Sequence, residues 1–474
     1  MIEGSTEKNK IDRILLYSSI FLVLTSVALS IALASGEYET GWIIGFIIAA
    51  FFTTFYPGAA IITLLFLAFS FEGSVYHDLP LLDIFGFHVF VMELLFVLLY
   101  YALVLHLFQV KAPVFRKKRI LVALIVFYLG AFFSSFVGLG NGFTVQQVFH
   151  DIRLFTYYFS MIPVFFLLQE KKMLKRAIIL LIVFGTIKSA VDSYYSLFLY
   201  SGSFDSDTRT YLGFSRLTGL SEIVYPITLI ASIILAYFEE NVLIKVMFVP
   251  SMLLSTLGLY LSYTRGSWLA CGLTLLVVFF MIGFYNKELV SIKAGLIFTG
   301  CFLVAVLLAG FVGIIQFETI IERFASIGLG GRIDMSNLGR LVEYATALEA
   351  FTSNPLTGMG LGFKFSYMTP GIGYTSTDYC HNSYLFVMAK MGAIGIIPFV
   401  VLLVSTLSSF IRLLKRPFEE EFYLPALCFC SIFVFFCIKS FTTWHLNTIT
   451  YTAFVGFLFA VSAIIDNKDV VGNE

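Results

Sequence analysis

The sequence predicts an all-α, polytopic membrane fold, on three observations. Of 474 residues, 59% are hydrophobic and only 13% charged, where an ordinary soluble protein carries about 25% charged residues. Mean hydropathy is +0.92. Apolar windows of about 20 residues, the length that crosses a bilayer as a helix, recur along the whole chain. The chain reads as a single transmembrane domain, 1–474, with one long outer loop at 314–381. Basic and acidic side chains number 30 each, so no nucleic-acid partner is suggested. The six cysteines are scattered without disulfide or metal spacing. The six histidines form no H-x-x-x-H or H-E-x-x-H pair, so no zinc site is expected.

The N-terminal MIEGSTEKNKIDR is polar and feeds a first apolar segment near 14–34. No small-residue cleavage site follows a short apolar core, so this is a retained span. Further spans are expected near 42–56, 58–72, 86–108, 120–138, 149–168, 174–200, 222–238, 242–262, 266–285, 291–313, 382–411, 422–439 and 444–465. Only Tyr56-Pro57-Gly58 separates the second from the third. These two are either separate spans or one broken unit, giving about twelve to fourteen in all.

Basic residues orient the spans. With the N-terminus inside, alternate connections such as KAPVFRKKR, QEKKMLKR and RLLKRPFEEE hold 19 of the 30 lysines and arginines. Outer segments such as GEYET and FEGSVYHDLPLLD hold none. This is the positive-inside pattern, and it places both termini in the cytoplasm. Seven basic residues fall outside: Arg209, Arg216, Arg265, Arg323, Arg332, Arg340 and Lys364. Six of these are arginine, whereas lysine predominates inside. Arginine presents a permanently charged planar fork that suits phosphate oxygens. The outer arginines therefore read as an anion site, with structural ion pairs as the alternative for any one of them.

The outer loop carries its own pattern. ETIIERFASI and GRLVEYATALEAF read as short amphipathic helices. In the second, Leu341, Tyr344, Leu348 and Phe351 recur at helical spacing, and Asn354-Pro355 ends it. LTGMGLGFKF has glycines like a phosphate loop, but no strand precedes it and no G-K-S/T follows, so it reads as a tight turn. The loop closes on His381 and Asn382, which open a membrane helix from its outer end. His381 fits two roles there, an interfacial cap or a general base for a hydroxyl. Lys188 and Asp192, four apart within a span, are expected to pair. Asp151 and Arg153 read as a structural pair, with Arg153 also in reach of an anion, and Lys390 is expected to meet a buried acid. Asp205-Ser206-Asp207 has a D-x-D pattern within a Gly/Ser/Asp loop, read as solvated rather than as a metal site.

Five motifs occur in order: SRLTGL (215–220), SYTRGSWLA (262–270), GR-x-x-x-Y (339–344), F-x-x-NP-x-x-G-x-G-x-G (351–362), and HN-x-Y-L ahead of an MGAIG turn (381–395). The ordered set resembles the O-antigen ligase and O-antigen polymerase superfamily, integral membrane glycosyltransferases of bacterial envelopes. The resemblance covers about 209–400, while the earlier helices match only in style. It implies a glycan donor on undecaprenyl diphosphate and a sugar or lipid-linked glycan as acceptor. The lipid would sit in the cytoplasmic (inner) membrane and the reaction at its outer face, toward the periplasm or other extracytoplasmic side, and neither resolves the envelope type; no cofactor is implied. Transfer would be inverting and independent of metal, in O-antigen, lipopolysaccharide or related surface-polysaccharide synthesis, alongside other envelope assembly proteins.

Residue by residue, the resemblance matches Arg265 and Arg340 to family arginines, His381 to the family histidine and Arg216 to a less uniform basic position. Arg209 and Arg153 are further candidate anion ligands. Asn382 is a candidate to orient His381 or bind sugar, and Tyr344 and Trp268 are candidates to stack on sugars. Fixed guanidinium groups stabilise charge developing on a leaving diphosphate, and a base takes the acceptor proton. The motifs do not separate polymerase from ligase; a count near fourteen spans favours polymerase. The alternative from another class is a polysaccharide transporter or lipid-linked glycan flippase. Such a protein should carry mid-membrane charges and repeat symmetry, while the surplus of basic residues here gathers at one face.

Overall fold

The computed structural model describes residues 91–109, 117–169, 171–194, 221–239, 241–262, 264–285, 335–369, 373–415 and 422–471 almost in full. It also describes parts of 50–62, the strand pairs within 82–89 and 210–215, and a few single residues. The expected spans at 14–34 and 291–313, most of those at 42–56 and 58–72, and the helix ETIIERFASI lie outside the described residues.

The described chain is mostly helical. Three helices are long and apolar enough to cross a membrane: Arg119–Gly140, Arg265–Gly283 and Ser383–Leu414. Five shorter apolar helices accompany them. In order, the helices are α1 Val91–Gln109, α2 Arg119–Gly140, α3 Val145–Thr156, α4 Met161–Leu167 and α5 Lys171–Tyr194. Then follow α6 Ser221–Phe238, α7 Val242–Leu261, α8 Arg265–Tyr285, α9 Met335–Ser353, α10 Ser383–Leu414, α11 Tyr423–Lys439 and α12 Ile449–Val471. Along α2, Val122, Ile125, Leu129, Phe132, Phe133 and Phe136 are exposed. An apolar stripe of this extent suits lipid better than water. Among the described helices, α11 over 425–436 and α12 over 451–467 are buried almost throughout, so both lie inside the bundle.

Two expectations need correction. The span near 149–168 is not one helix. Thr144 and Gln147 close a reciprocal capping box that starts α3 early, and a 3-10 turn at Tyr157–Ser160 breaks the run before α4. The all-α expectation also missed three antiparallel strand pairs: Leu82–Ile84 (β1) with Phe87–Val89 (β2), Thr210–Tyr211 (β3) with Phe214–Ser215 (β4), and Phe365–Thr369 (β5) with Gly373–Thr377 (β6). The last belongs to the outer loop, where the GYTST segment alternates half-buried and exposed residues, the period of a strand.

α10 is broken at Gly392, whose φ of 60° and ψ of −153° lie outside helical geometry. A Cβ there would come within 2.6 Å of the Leu356 carbonyl. The Gly-rich loop fills the break and takes up its backbone groups. The amides of Ala393 and Ile394 donate to the carbonyls of Pro355 (2.8 Å) and Leu356 (3.1 Å). Those of Met359 and Gly360 donate to the carbonyls of Ala389 and Lys390, each at 2.9 Å. Broken helices at membrane depth persist only where such partners exist. LTGMGLGFKF is thus a turned plug that holds the loop helix α9 against α10.

Candidate active site

The turn after α11, residues 440–444, gathers three other elements. The Ser383 amide, at the start of α10, donates to the Ser440 carbonyl at 3.0 Å. The Tyr344 hydroxyl, from α9, donates to the Phe441 carbonyl at 3.3 Å. Gly266, in the first turn of α8, lies so close that a Cβ would stand 2.8 Å from the Thr442 hydroxyl and 3.2 Å from Lys439 Nζ. Arg265 and His381 are each one or two residues from these contacts, and Arg340 lies one turn before Tyr344. Three residues distant in sequence thereby share one end of the bundle.

His381 is held by Glu343. Its Nδ1 lies 2.8 Å from Glu343 Oε2, and its backbone amide donates to Glu343 Oε1. A carboxylate accepts only, so Nδ1 carries the proton, and in the neutral ring Nε2 is then the lone-pair acceptor. Glu343 is 1% exposed and the His381 side chain 31%. The acid is sealed while the ring reaches solvent. Tyr344 adds a second hold, its one hydroxyl proton shared between the His381 carbonyl at 3.0 Å and the Phe441 carbonyl at 3.3 Å. Burial pushes the Tyr344 phenol up to about 12, with nearby Arg340 opposing the shift, so Tyr344 stays a neutral donor. Burial and the Glu343 charge raise the Cys380 thiol further still.

Around His381 lie aromatic faces. Tyr379 meets the imidazole edge-on at 5.3 Å and packs on Trp444 at 4.1 Å. Arg265 and Arg340 are both half-buried. Arg265 opens α8, where the N-terminal end of the helix dipole adds positive potential.

Other candidates have different surroundings. Asn382 is the N-cap of α10, and its Oδ1 accepts from the amides of Tyr384 (3.0 Å) and Leu385 (3.1 Å). Trp268 donates from Nε1 to the Leu259 carbonyl at 2.7 Å and lies parallel to Tyr260, joining α8 to α7. Asp151 and Arg153 are not a pair, because residues two apart on a helix point to different sides. Arg153 meets Glu93 at 3.5 Å, while Asp151 meets Lys390 at 2.7 Å. Lys390 therefore has the buried acid expected for it, and Lys188 pairs with Asp192 at 2.8 Å. Arg209 and Arg216, with Arg323, Arg332, Asp205 and Asp207, lie outside the described residues.

The sequence reading missed Glu343 and Lys439. Glu343 sits among ordinary helix charges and carries no local signal. Lys439 is fully buried at the end of an apolar run, FVFFCIK, and an ionisable residue within a membrane helix is itself a functional flag.

Residues 250–400 match the family model described as O-antigen ligase. No curated protein matches the chain. The matched segment contains Arg265, Arg340, Glu343 and His381, and it supports an O-antigen ligase- or polymerase-type membrane enzyme of polysaccharide biosynthesis.

Proposed function

We propose that this chain, bearing an O-antigen ligase-type segment at 250–400, transfers a glycan from undecaprenyl diphosphate to a sugar hydroxyl. The reaction runs at the outer face of the bacterial cytoplasmic membrane. The observation that carries the proposal is the sealed Glu343 bound to a half-open His381. A carboxylate on Nδ1 orients the ring and leaves Nε2 to accept the hydroxyl proton of the acceptor sugar. The acceptor oxygen attacks the anomeric carbon from the side opposite the lipid diphosphate, the C1–O bond breaks, and the configuration inverts. The diphosphate leaves with the bond pair. Arg265 and Arg340 stabilise its charge, and Lys439, beside the first turn of α8, reinforces the same field. Protein groups provide all of the charge stabilisation, with no metal or other cofactor required. Tyr379 and Trp444 offer an apolar face for the acceptor ring. We favour polymerisation of repeat units over ligation of a finished chain, on the span count read from the sequence.

The test is His381→Ala and Arg265→Ala in a host lacking its own enzyme, with the surface glycan run on a gel and the protein level checked in the membrane. The expected result is loss of glycan in both at normal protein level, since removing a general base lowers rates by about a hundredfold to ten-thousandfold. A banded ladder in the wild-type lane identifies a polymerase, and a single shifted product a ligase. Normal glycan in both variants sinks the proposal.

A further inference from the structure

A cleft lies along the plug itself, lined by Met359, Gly362, Phe363 and Lys364 of that segment. It encloses about 580 Å³ between the α2–α3 turn and the base of the β5–β6 hairpin. One wall is Asn141, Phe143 and Gln147, and the other is Lys364, Ser366 and Ser376. Its floor is Gly362, whose φ of +92° and whose crowding by Phe143 and Gln147 leave no room for a side chain. The floor is pinned from beneath. The Gly362 amide donates to Asp151 Oδ2 at 2.6 Å, and Asp151 is held by the fully buried Lys390. Lys390 also donates to the Asp378 carbonyl at 2.7 Å. The cleft is thus rigidly tied to the strand that runs on into His381. Ser376 is five residues before His381, at most about 17 Å along an extended chain.

The lining has the makings of a sugar site. The Phe143 ring, with Phe363 beside it at 6.4 Å, offers an apolar face. Asn141 and Gln147 keep amide groups beyond those spent on the Met359 carbonyl and the α3 cap. Ser366 and Ser376 pair at 3.0 Å, and each hydroxyl retains acceptor capacity. Lys364 is the only charged residue among the described residues that line it, and it is exposed.

We infer that this cleft binds an anionic sugar of the same glycan, several units from the bond being made, with Lys364 meeting its acid group. The inference rests on the glycosyl-transfer proposal for the identity of the ligand, but not on the chemistry at His381. A ligand gripped here holds the growing or transferred chain in line with His381 and selects for acidic repeat units.

The experiment uses full-length protein in nanodiscs and oligosaccharide released by mild acid from the surface glycan of the producing cells. Binding is measured at equilibrium. The expected result is that wild type and His381→Ala bind alike, while Lys364→Ala binds at least tenfold more weakly and Lys364→Glu not measurably. Carboxyl-reduced and dephosphorylated samples of the glycan distinguish a uronate from a phosphate as the acid group, and one of them should bind wild type as weakly as the untreated glycan binds Lys364→Ala. Equal binding by Lys364→Ala, undiminished binding of both treated samples, or no binding by wild type overturns the inference. Because His381→Ala keeps the cleft, normal glycan synthesis in that variant would remove the enzyme proposal without touching a positive binding result.

Discussion

Glu343 and Asp466 are both buried carboxylates beside α10, one near its start and one near its end, and their partners differ in kind. Asp466, 1% exposed, faces Arg119 at 2.9 Å, Lys117 at 3.4 Å and Arg412. These permanent cations come from α2, the segment before it and α10, and they tie those elements to α12. Glu343, equally buried, faces the His381 imidazole, which is 31% exposed, together with the His381 backbone amide and the neutral Cys380 thiol. A carboxylate saturated by fixed cations is a clamp. A carboxylate with no fixed cation on it, hydrogen-bonded to a titratable ring whose far nitrogen is open, orients a base. The partner, more than the burial of the acid, separates structure from chemistry.

The largest expected effect separates the two acids directly. Glu343→Gln should lower turnover by about a hundredfold or more, with protein level and substrate KM little changed, because the wrong tautomer of an oriented base is catalytically poor. Asp466→Asn should do the reverse, lowering the amount of folded protein while each surviving molecule turns over normally. Comparable losses of turnover in both variants would erase the distinction.

A second effect, on stability, tests the link between the plug and α10. Lys390→Met leaves Asp151 charged and buried, and breaking such a pair costs about 3–5 kcal/mol. The expected outcome is a marked fall in detergent-extracted folded protein, recovered largely by adding Asp151→Asn. If the double variant is no better than the single one, the pair is not what holds the loop.

A smaller effect comes from Tyr344. Its folded-state phenol sits near 12, above the ordinary value of 10.0. The neutral form is thus favoured by folding, and its contribution is fully present below pH 10 and lost as pH rises through about 12. Wild type should keep its activity to the alkaline edge of protein stability. Tyr344→Phe, which loses the single phenolic proton shared between the His381 and Phe441 carbonyls, should lose about tenfold or less in rate at every pH, one such hydrogen bond contributing about 1 kcal/mol. A wild-type activity loss centred well below pH 10 that vanishes in Tyr344→Phe would contradict this.

The smallest effect concerns Cys380, next to His381. Burial and the Glu343 charge hold its thiol above the ordinary range, so maleimide should label it slowly at neutral pH in the folded protein. Rapid labelling of wild type but not of Cys380→Ser would show that Glu343 is less sealed than its burial indicates.

The loop helix α9 shows how far the sequence could be read. Its existence and its end at Asn354-Pro355 were legible, since periodicity and proline act locally. Its buried face was not. Leu341 and Leu348, taken from their spacing as the apolar face, are exposed, while Glu343, Ala347 and Ala350 are buried. The hydrophobic pattern assumes that a helix buries its largest apolar side chains. Here the neighbour is a histidine and a tightly packed turn, which call for a carboxylate and small residues.

By itself the sequence determined the membrane class and the order of most helices, because composition and length act through the bilayer whatever the contacts. Only the tertiary structure decided which charges meet. It paired Lys390 with Asp151 rather than Arg153 with Asp151, set Glu343 on His381 across 38 residues of chain, and brought Gly266 against the end of α11. Such pairings depend on which helices pack together and how their broken backbones are filled, and no local pattern of residues carries that information.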